Sequence, residues 1–338
     1  MKKNQFTVGC CFAGMGGFAQ AFQKEGFRIN WAIEIDKKAA QIFSKSFPKA
    51  KVITEDIKNV RIKKNQENLW KVDVITGGFP CQPFSRAGSQ KGTGDRRSGA
   101  IFEFFNFLQK LNGAKPRIVL LENVTDILKI EGGNFYQELK NKFYQCGFVM
   151  SESTSYVLEA FTNTGIPQFR ERLFLAAINK TICPSFNTTL YSKKAQPKSL
   201  FSTKFVNTKK REPSKYYFKE DSPFYPLFLK EYQNVKSKKT TFLLRRNYVR
   251  SNKKGISFTL VASMGSGGHN VPVIKDRWGF RRLTPHECAK LQGWERPSFP
   301  KTLIDRDLYK AIGNSVVIDV VQIVANHLKS NLLKINNL

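Results

Sequence analysis

The sequence predicts an α/β fold: a parallel sheet with helices on both faces, joined to a smaller, irregular segment. Three observations predict it. Over the first 180 residues short apolar runs alternate with amphipathic stretches, the pattern of strand–helix–strand units. Apolar residues make up 41% of 338 positions and aromatics 13%, enough to build a core and too much for a disordered chain. Over 181–280 the periodicity fades and Lys, Ser, Asn and Pro accumulate.

Strands are expected at 6–12, 30–35, 72–76, 117–121 and 173–178, and helices at 17–25, 100–111 and 134–145. Gly26 and Gly147 stand where a helix commonly stops, just past its last residue. Thr284-Pro285-His286-Glu287 has capping-box spacing with proline at the first helical position, so a helix starts there. Val316, Val317, Val320, Val321, Val324 and Leu328 repeat with the 3.6 period of a helix packed on a core.

Charge narrows the partners. The chain has 56 Lys+Arg against 26 Asp+Glu, a net of +30, which predicts a polyanion, nucleic acid first and an anionic membrane surface second. Residues 181–280 hold 20 Lys+Arg and only 5 Asp+Glu, half of the excess, interleaved with Tyr216, Tyr217, Phe218, Phe224, Tyr225 and Tyr248. Basic residues among aromatics suit phosphate neutralisation plus contacts to bases, although a solvated loop-rich face has the same composition. No apolar run reaches the ~18 residues of a membrane span, and no signal-peptide pattern follows the basic start. The six cysteines form no C-x-x-C pair and there are three histidines, which argues against a structural zinc; no metal site is expected. Reduced thiols in a cytoplasmic protein are the expectation.

Phe12-Ala13-Gly14-Met15-Gly16-Gly17-Phe18 lies between the first strand and the first helix, where glycines permit a tight turn and close approach of a ligand. Glu34 follows Gly14 by 20 residues at the end of the second strand, the place of a carboxylate that grips ribose hydroxyls. Asp56, after Val52-Ile53, is placed to accept from an adenine amino group. The glycine spacing is not G-x-G-x-x-G, so the pocket alone does not choose between NAD and another adenosine-bearing cofactor.

Cys81 sits in Gly77-Gly78-Phe79-Pro80-Cys81-Gln82-Pro83-Phe84-Ser85, directly after a strand. A random cysteine is usually an inert core residue, but a Gly/Pro-rich loop at a strand end is accessible and suits a nucleophile. The strand Ile118-Val119-Leu120-Leu121 runs into Glu122-Asn123-Val124, and a carboxylate ending an apolar strand needs a partner or a task, a helix N-terminal acid being the plainer reading. In Gln168-Phe169-Arg170-Glu171-Arg172, alternation puts Gln168, Arg170 and Arg172 on one side of an extended chain, able to donate to a carbonyl or orient the acid. Thiolate, acid and arginine beside an adenosine cofactor point to one reaction. Thiolate addition at cytosine C6, with protonation at N3, makes C5 able to attack a methyl donor.

These residues resemble the DNA cytosine-5 methyltransferases. The resemblance rests on Phe12-x-Gly14-x-Gly16-Gly17, Pro80-Cys81-Gln82, Glu122-Asn123-Val124, Gln168-x-Arg170-x-Arg172, Arg282-Leu283-Thr284-Pro285-x-Glu287 and Gly313-Asn314-Ser315-Val316, in the family's order and covering nearly everything outside 181–280. Cys10-Cys11 departs from the family's usual residues before Phe12. The resemblance implies a Rossmann-like S-adenosylmethionine-dependent methyltransferase sheet with a smaller target-recognition domain. It implies catalytic and cofactor-binding residues in 1–180, target recognition in 181–280, a hinge at 281–310 and a segment 311–338 packing back on the catalytic domain. It makes Cys81 the nucleophile, Glu122 the group at N3 and Arg172 the donor near O2, with Arg170 among the catalytic residues. It assigns S-adenosylmethionine to Phe12, Gly14, Gly16, Gly17, Glu34, Ile35, Asp56, Ile57, Pro80, Asn314 and Ser315. The short chain looks like a bacterial restriction–modification enzyme, a cytoplasmic, nucleoid-associated monomer acting on double-stranded DNA, with a cognate endonuclease as genetic partner and no membrane partner.

The target base is stacked in the duplex, so base flipping is expected. The loop Ser85 to Arg97 carries glycines and the basic residues Arg86 and Arg97, which fits a lid closing over phosphates. Arg245, Arg246 and Arg250 are candidates for guanine edges, and phosphate contact is their alternative. Three competing readings remain: an RNA (tRNA) cytosine-5 methyltransferase, an inactive binding protein, and a dehydrogenase, which gives Cys81 and Glu122 no task.

Overall fold

A computed structural model describes residues 5–62, 67–80, 99–192, 194–235, 237 and 239–337. The chain divides into two compact units: Met1–Leu158 with Glu171–Ser192 and Val320–Leu338, and Glu159–Arg170 with Lys193–Asp319. These bounds differ from the intervals 1–180, 181–280, 281–310 and 311–338. The short segment carrying Gln168 and Arg170 joins the second unit because both side chains bond there, to Leu260, Leu291 and Ser315.

In the first unit the elements follow as β1 (Thr7–Cys11), α1 (Gly17–Lys24), β2 (Arg28–Ile33), α2 (Lys37–Ser46), β3 (Lys51–Ile53), α3 (Glu67–Trp70), β4 (Val74–Gly78), α4 (Gly99–Lys110), β5 (Ile118–Asn123), α5 (Asn134–Gln145), β6 (Phe148–Val149), most of β7 (Ser155–Glu159) and β8 (Glu171–Asn179). The strand order is β3-β2-β1-β4-β5-β8-β6, with β7 paired to β8. The first five are parallel, as buried apolar strands joined by helical crossovers should be. The strand expected at 173–178 is present as β8 but runs antiparallel to β5. The order reverses between β1 and β4, the switch point beyond whose carboxyl ends such sheets bind ligands.

Aromatic residues fill one side of this sheet. Trp31, Trp70 and Phe107 meet edge to face with ring centroids 5.2, 5.6 and 6.0 Å apart. The C-terminal helix of the chain (Ile318–Asn336), here α10, joins this unit from Val320 onward. Glu25, at the end of α1, accepts from Gln322 and Asn326 at 3.1 and 3.0 Å, and its carbonyl accepts from Lys329 at 2.7 Å.

The second unit contains α6 (Ala160–Thr164), α7 (Tyr225–Val235), β9 (Thr241–Arg245), β10 (Tyr248–Asn252), β11 (Pro272–Asp276), β12 (Gly279–Arg282), α8 (Pro285–Leu291) and α9 (Asp305–Gly313). Its four strands form an antiparallel sheet in the order β10-β9-β11-β12 within an otherwise turn-rich segment. Phe218, Phe228, Phe242 and Phe280 pack beneath it with Leu244 and Val273. Thr284 and Glu287 form the expected reciprocal cap on α8, at 3.2 and 2.8 Å. Arg281 is wholly buried and bonds Asp276 at 3.0 Å and Glu287 twice at 2.8 Å, and Tyr217 donates to the same Asp276 oxygen at 2.9 Å. Burial alone presses the guanidinium pKa down, but the two carboxylates turn the net shift upward. Among the described residues no single helix is long and apolar enough to cross a membrane.

Candidate active site

The ends of five parallel strands place the candidate residues of the first unit along one edge of the sheet. β1 leads into the glycine loop, β2 into Glu34, β3 toward Asp56, β4 into Phe79-Pro80, and β5 ends in Glu122-Asn123.

In the glycine loop, Phe12, Gly14 and Gly16 all have left-handed φ, at 49°, 56° and 100°. Only glycine adopts the last two cheaply. A Cβ on Gly14 would meet nothing within 4 Å, so the loop faces open space there, whereas one on Gly16 would lie 2.5 Å from the Phe47 ring. Gly17 opens α1 and is buried. The amide of Gly14 donates to Glu34 Oε2 at 2.7 Å, and the amide of Asp36 to Oε1 at 2.8 Å. Burial raises the Glu34 pKa above its ordinary value, with the Asp36 and Gly14 amides pulling it back. With the Ile35 amide also bonding it, the carboxylate still has lone-pair capacity for one further donor. Ile35 beside it is 63% exposed. Asp56 caps the short turn at Ile57–Asn59, accepting from the Lys58 amide at 3.1 Å and pairing with its ammonium at 3.4 Å, while Ile57 is buried. This set fits an adenosine-bearing donor: open space over a glycine, a carboxylate with spare lone-pair capacity, and an exposed aliphatic side chain.

At the next two strand ends, register sets Gly78 beside Glu122. A Cβ on Gly78 would stand 3.2 Å from Glu122 Oε2, so the glycine makes room for the carboxylate. Arg172, near the start of β8, brings its Nε to 2.9 Å from Glu122 Oε1, and its Nη1 donates to the Glu171 carbonyl at 2.6 Å. Asn123 is buried; it donates from Nδ2 to the Phe79 carbonyl at 3.1 Å and accepts from the Val124 amide at 2.8 Å. It thus ties the end of β5 to the chain two residues before Cys81. The sequence reading carried Asn123 only inside a motif; its signal was a second polar residue ending an apolar strand. Pro80 is exposed, and Cys81, Ser85, Arg86 and Arg97 lie outside the described residues.

Arg170 was grouped with the reacting residues, and its surroundings correct that. It is 6% exposed in the second unit, where Nη1 donates to the Leu260 carbonyl at 2.7 Å and Nη2 to the Ser315 carbonyl at 2.7 Å. A guanidinium spent on buried carbonyls holds backbone. What it holds is the turn carrying Asn314, which is exposed, and Ser315, which is buried. Gln168 does similar work, donating to Leu291 O at 2.9 Å and accepting from the Leu260 amide at 3.0 Å. Arg172 alone of the three meets the acid. In the second unit Arg245 bonds Asn270, Arg250 lies 5.4 Å from the Phe258 ring centre, and Arg246 is exposed.

The family model for C-5 cytosine-specific DNA methylases matches residues 6–330, nearly the whole chain. The chain belongs to that family. Among its relatives, the Type II methyltransferase M.Bsp6I of a Bacillus species is 34% identical over 96% of this methylase and 99% of its own length. M.HhaI of Haemophilus parahaemolyticus is 28% identical over 95% and 93% of the two chains. In fold, this methylase is similar to a DNMT2 mutant of Spodoptera frugiperda (TM-score 0.71, 18% identity, 96% and 100% covered). It is similar also to the methyltransferase EhMeth of Entamoeba histolytica (TM-score 0.70, 20% identity, 98% and 99% covered). The chain is therefore an enzyme, a C5-cytosine methyltransferase of the Type II restriction–modification kind, on the methyltransferase sheet.

Proposed function

We propose that this methylase transfers a methyl group from S-adenosylmethionine to C5 of a cytosine flipped out of a specific duplex DNA sequence, through a transient bond between Cys81 and C6. The observation that carries this reading is Glu122, on the strand next to the one that leads to Cys81, paired at 2.9 Å with Arg172 of β8. The glycine loop and Glu34 lie along the same edge of the sheet.

S-adenosylmethionine, when bound, supplies an electrophilic methyl group. Glu34 would accept from a ribose hydroxyl and Asp56 from the adenine amino group, with Ile35 against the ring. The backbone of Phe12, Gly14, Gly16 and Gly17 would approach closely, with Ile57 and Pro80 completing the set in this unit. Cytosine C5 is a weak nucleophile. The Cys81 thiolate adds to C6, and the displaced electron pair is taken up at N3, where Glu122 delivers a proton. Arg172, oriented by Glu122 and the Glu171 carbonyl, offers its Nη2 end to O2. C5 then takes the methyl group; loss of the C5 proton to a base, return of the N3 proton to Glu122 and departure of the thiolate from C6 restore the ring. A stacked cytosine is out of reach of all three side chains, so the nucleotide leaves the duplex first. The enzyme acts as a monomer in the cytoplasm, on nucleoid DNA, protecting host sites from a cognate endonuclease.

The test uses a duplex carrying 5-fluorocytosine at the mapped target. C5 then has no removable proton, and the adduct should persist on a denaturing gel, with the bound nucleotide on Cys81. Cys81→Ser should form none and should not methylate. Turnover by that variant, or an adduct on another residue, would overturn the mechanism. A tRNA offered in parallel should stay unmodified.

A further inference from the structure

In the second unit Arg245 closes β9 and is half-buried, and its Nη1 donates to Asn270 Oδ1 at 2.8 Å. Asn270 in turn donates from Nδ2 to Ser263 Oγ at 3.1 Å and from its backbone to the Leu244 carbonyl at 3.3 Å. Its φ is 65°, a left-handed conformation that asparagine tolerates better than most residues. Between Ser263 and Asn270 the chain closes on itself through the Gly265 amide and the His269 carbonyl, at 3.0 Å, with Gly265 and Gly267 both at positive φ. The stretch so held shows small, exposed residues, Ser266 and Gly267. On the other side of Arg245 is the two-residue turn Arg246-Asn247, both exposed, followed by Tyr248, which pairs with Arg245 across the hairpin and is 57% exposed. One guanidinium thus joins two exposed loops.

The phenylalanine core already holds the sheet itself together. A hydrogen bond between a half-buried arginine and a neutral amide adds little to that. What it fixes is the mutual placement of the two loops. Base-edge hydrogen bonds are directional, and each good pair discriminates roughly tenfold to a hundredfold against the wrong base. A surface that reads DNA therefore needs its loops held in one register.

We propose that Arg245, Asn270 and Ser263 form a clasp that positions a sequence-reading surface: Arg245 acts through its own chain, and Arg246 meets a base edge. This rests on the reading of the second unit as the part that recognises duplex DNA. It divides the three arginines by task. Arg245 is committed to Asn270, Arg250 is exposed beside the Phe258 ring at 5.4 Å, and Arg246 stands at the tip of the hairpin.

The test uses amplified, unmethylated DNA of mixed sequence, with every cytosine read by bisulfite sequencing. The readout is the ratio of methylation at the preferred site to that at its single-base variants. Arg245→Ala and Asn270→Gly, the latter keeping the backbone relaxed, should each lower that ratio about tenfold at several positions of the site. The double variant should be no worse than either single one. Arg245→Gln keeps an amide donor without the charge and should retain more discrimination than Arg245→Ala. Arg246→Ala should relax one position only. KM for S-adenosylmethionine and Tm should stay near wild type in all five. Multiplying effects in the double variant, or Arg245→Gln no better than Arg245→Ala, would overturn the clasp. Should Arg245→Ala fail to fold, the comparison of Arg245→Gln with Asn270→Gly decides. Wild-type enzyme that leaves every cytosine unmodified would overturn the methylase reading and the clasp with it; an active wild type with unaltered variants would overturn the clasp alone.

Discussion

Glu122→Gln separates the chemistry from the binding. The amide has the size and shape of the carboxyl, so the tight space against Gly78, 3.2 Å from where a Cβ would stand, is still filled. The charge is lost, and with it the 2.9 Å ion pair to Arg172 and the ability to deliver a proton at N3. Two costs follow. Breaking a fully buried pair costs about 3–5 kcal/mol. Here the Arg172 side chain is 18% exposed and keeps its bond to the Glu171 carbonyl, so the loss of stability should be well below that range. Proton transfer by a positioned group contributes about 10²- to 10⁴-fold, or roughly 3–5 kcal/mol of barrier at about 1.4 kcal/mol per decade. The rate should therefore fall by at least about a hundredfold while the protein stays folded. Single-turnover transfer of tritiated methyl into a target duplex measures the chemical step, and thermal unfolding and gel-shift titration check the fold and DNA affinity. A rate loss of only a few-fold with intact binding would show that N3 is protonated from elsewhere. A collapse of Tm with the rate would show that Glu122 is a structural acid.

Two further predictions concern the donor pocket. Burial gives Glu34 a higher pKa folded than unfolded, so the native state holds its proton more tightly, and stability from this group is present at low pH and declines as pH rises through the shifted value. In the proposed donor site the ionised form is the one that would accept from ribose. KM for S-adenosylmethionine should thus rise on acidification, at a pH above the ordinary value of a glutamate. Glu34→Gln should raise KM about tenfold and remove that pH dependence, and an unchanged KM would refute the role. Gly16→Ala puts a Cβ 2.5 Å from the Phe47 ring at φ 100°, so calorimetry should show a loss of about 1–3 kcal/mol, a Tm lower by several degrees. No change in Tm would mean that the loop relaxes freely.

The strands β1, β2, β4, β5 and β8 and the helices α1, α4 and α5 were legible because apolar runs and amphipathic periods report burial directly. Helix α2 was not, since its Lys- and Ser-rich stretch hides the apolar face of Ala39, Ala40, Ile42 and Phe43. Asp36 was the available signal; it caps α2 by accepting from the Lys38 and Ala39 amides. The four-stranded sheet of the second unit was also hidden. Its core phenylalanines are spread from 218 to 280 and come together only through antiparallel pairing, which a local period does not reveal. At the candidate site, the glycine loop, Glu34 and Glu122 with Arg172 were legible as residues at strand ends. Arg170 was misplaced because residue type does not say whether a guanidinium meets a substrate or a carbonyl of its own backbone.

The buried Arg281, clamped between Asp276 and Glu287, has a consequence for how such a chain can drift. Removing Arg281 strands two carboxylates in the interior, and removing either carboxylate leaves buried guanidinium donors without their acceptor; breaking such a buried pair costs about 3–5 kcal/mol, a large share of a domain's whole stability. Replacing all three at once with apolar residues of similar bulk is often neutral. The viable alternatives are thus separated from the present arrangement by intermediates that do not fold well, and single substitutions do not cross that gap. Exposed positions such as Arg246 and Ser266 face no such barrier. A lineage carrying this trio would keep its frame frozen while the loops mounted on it wander, and new sequence preferences would arise without the sheet beneath them ever being rebuilt.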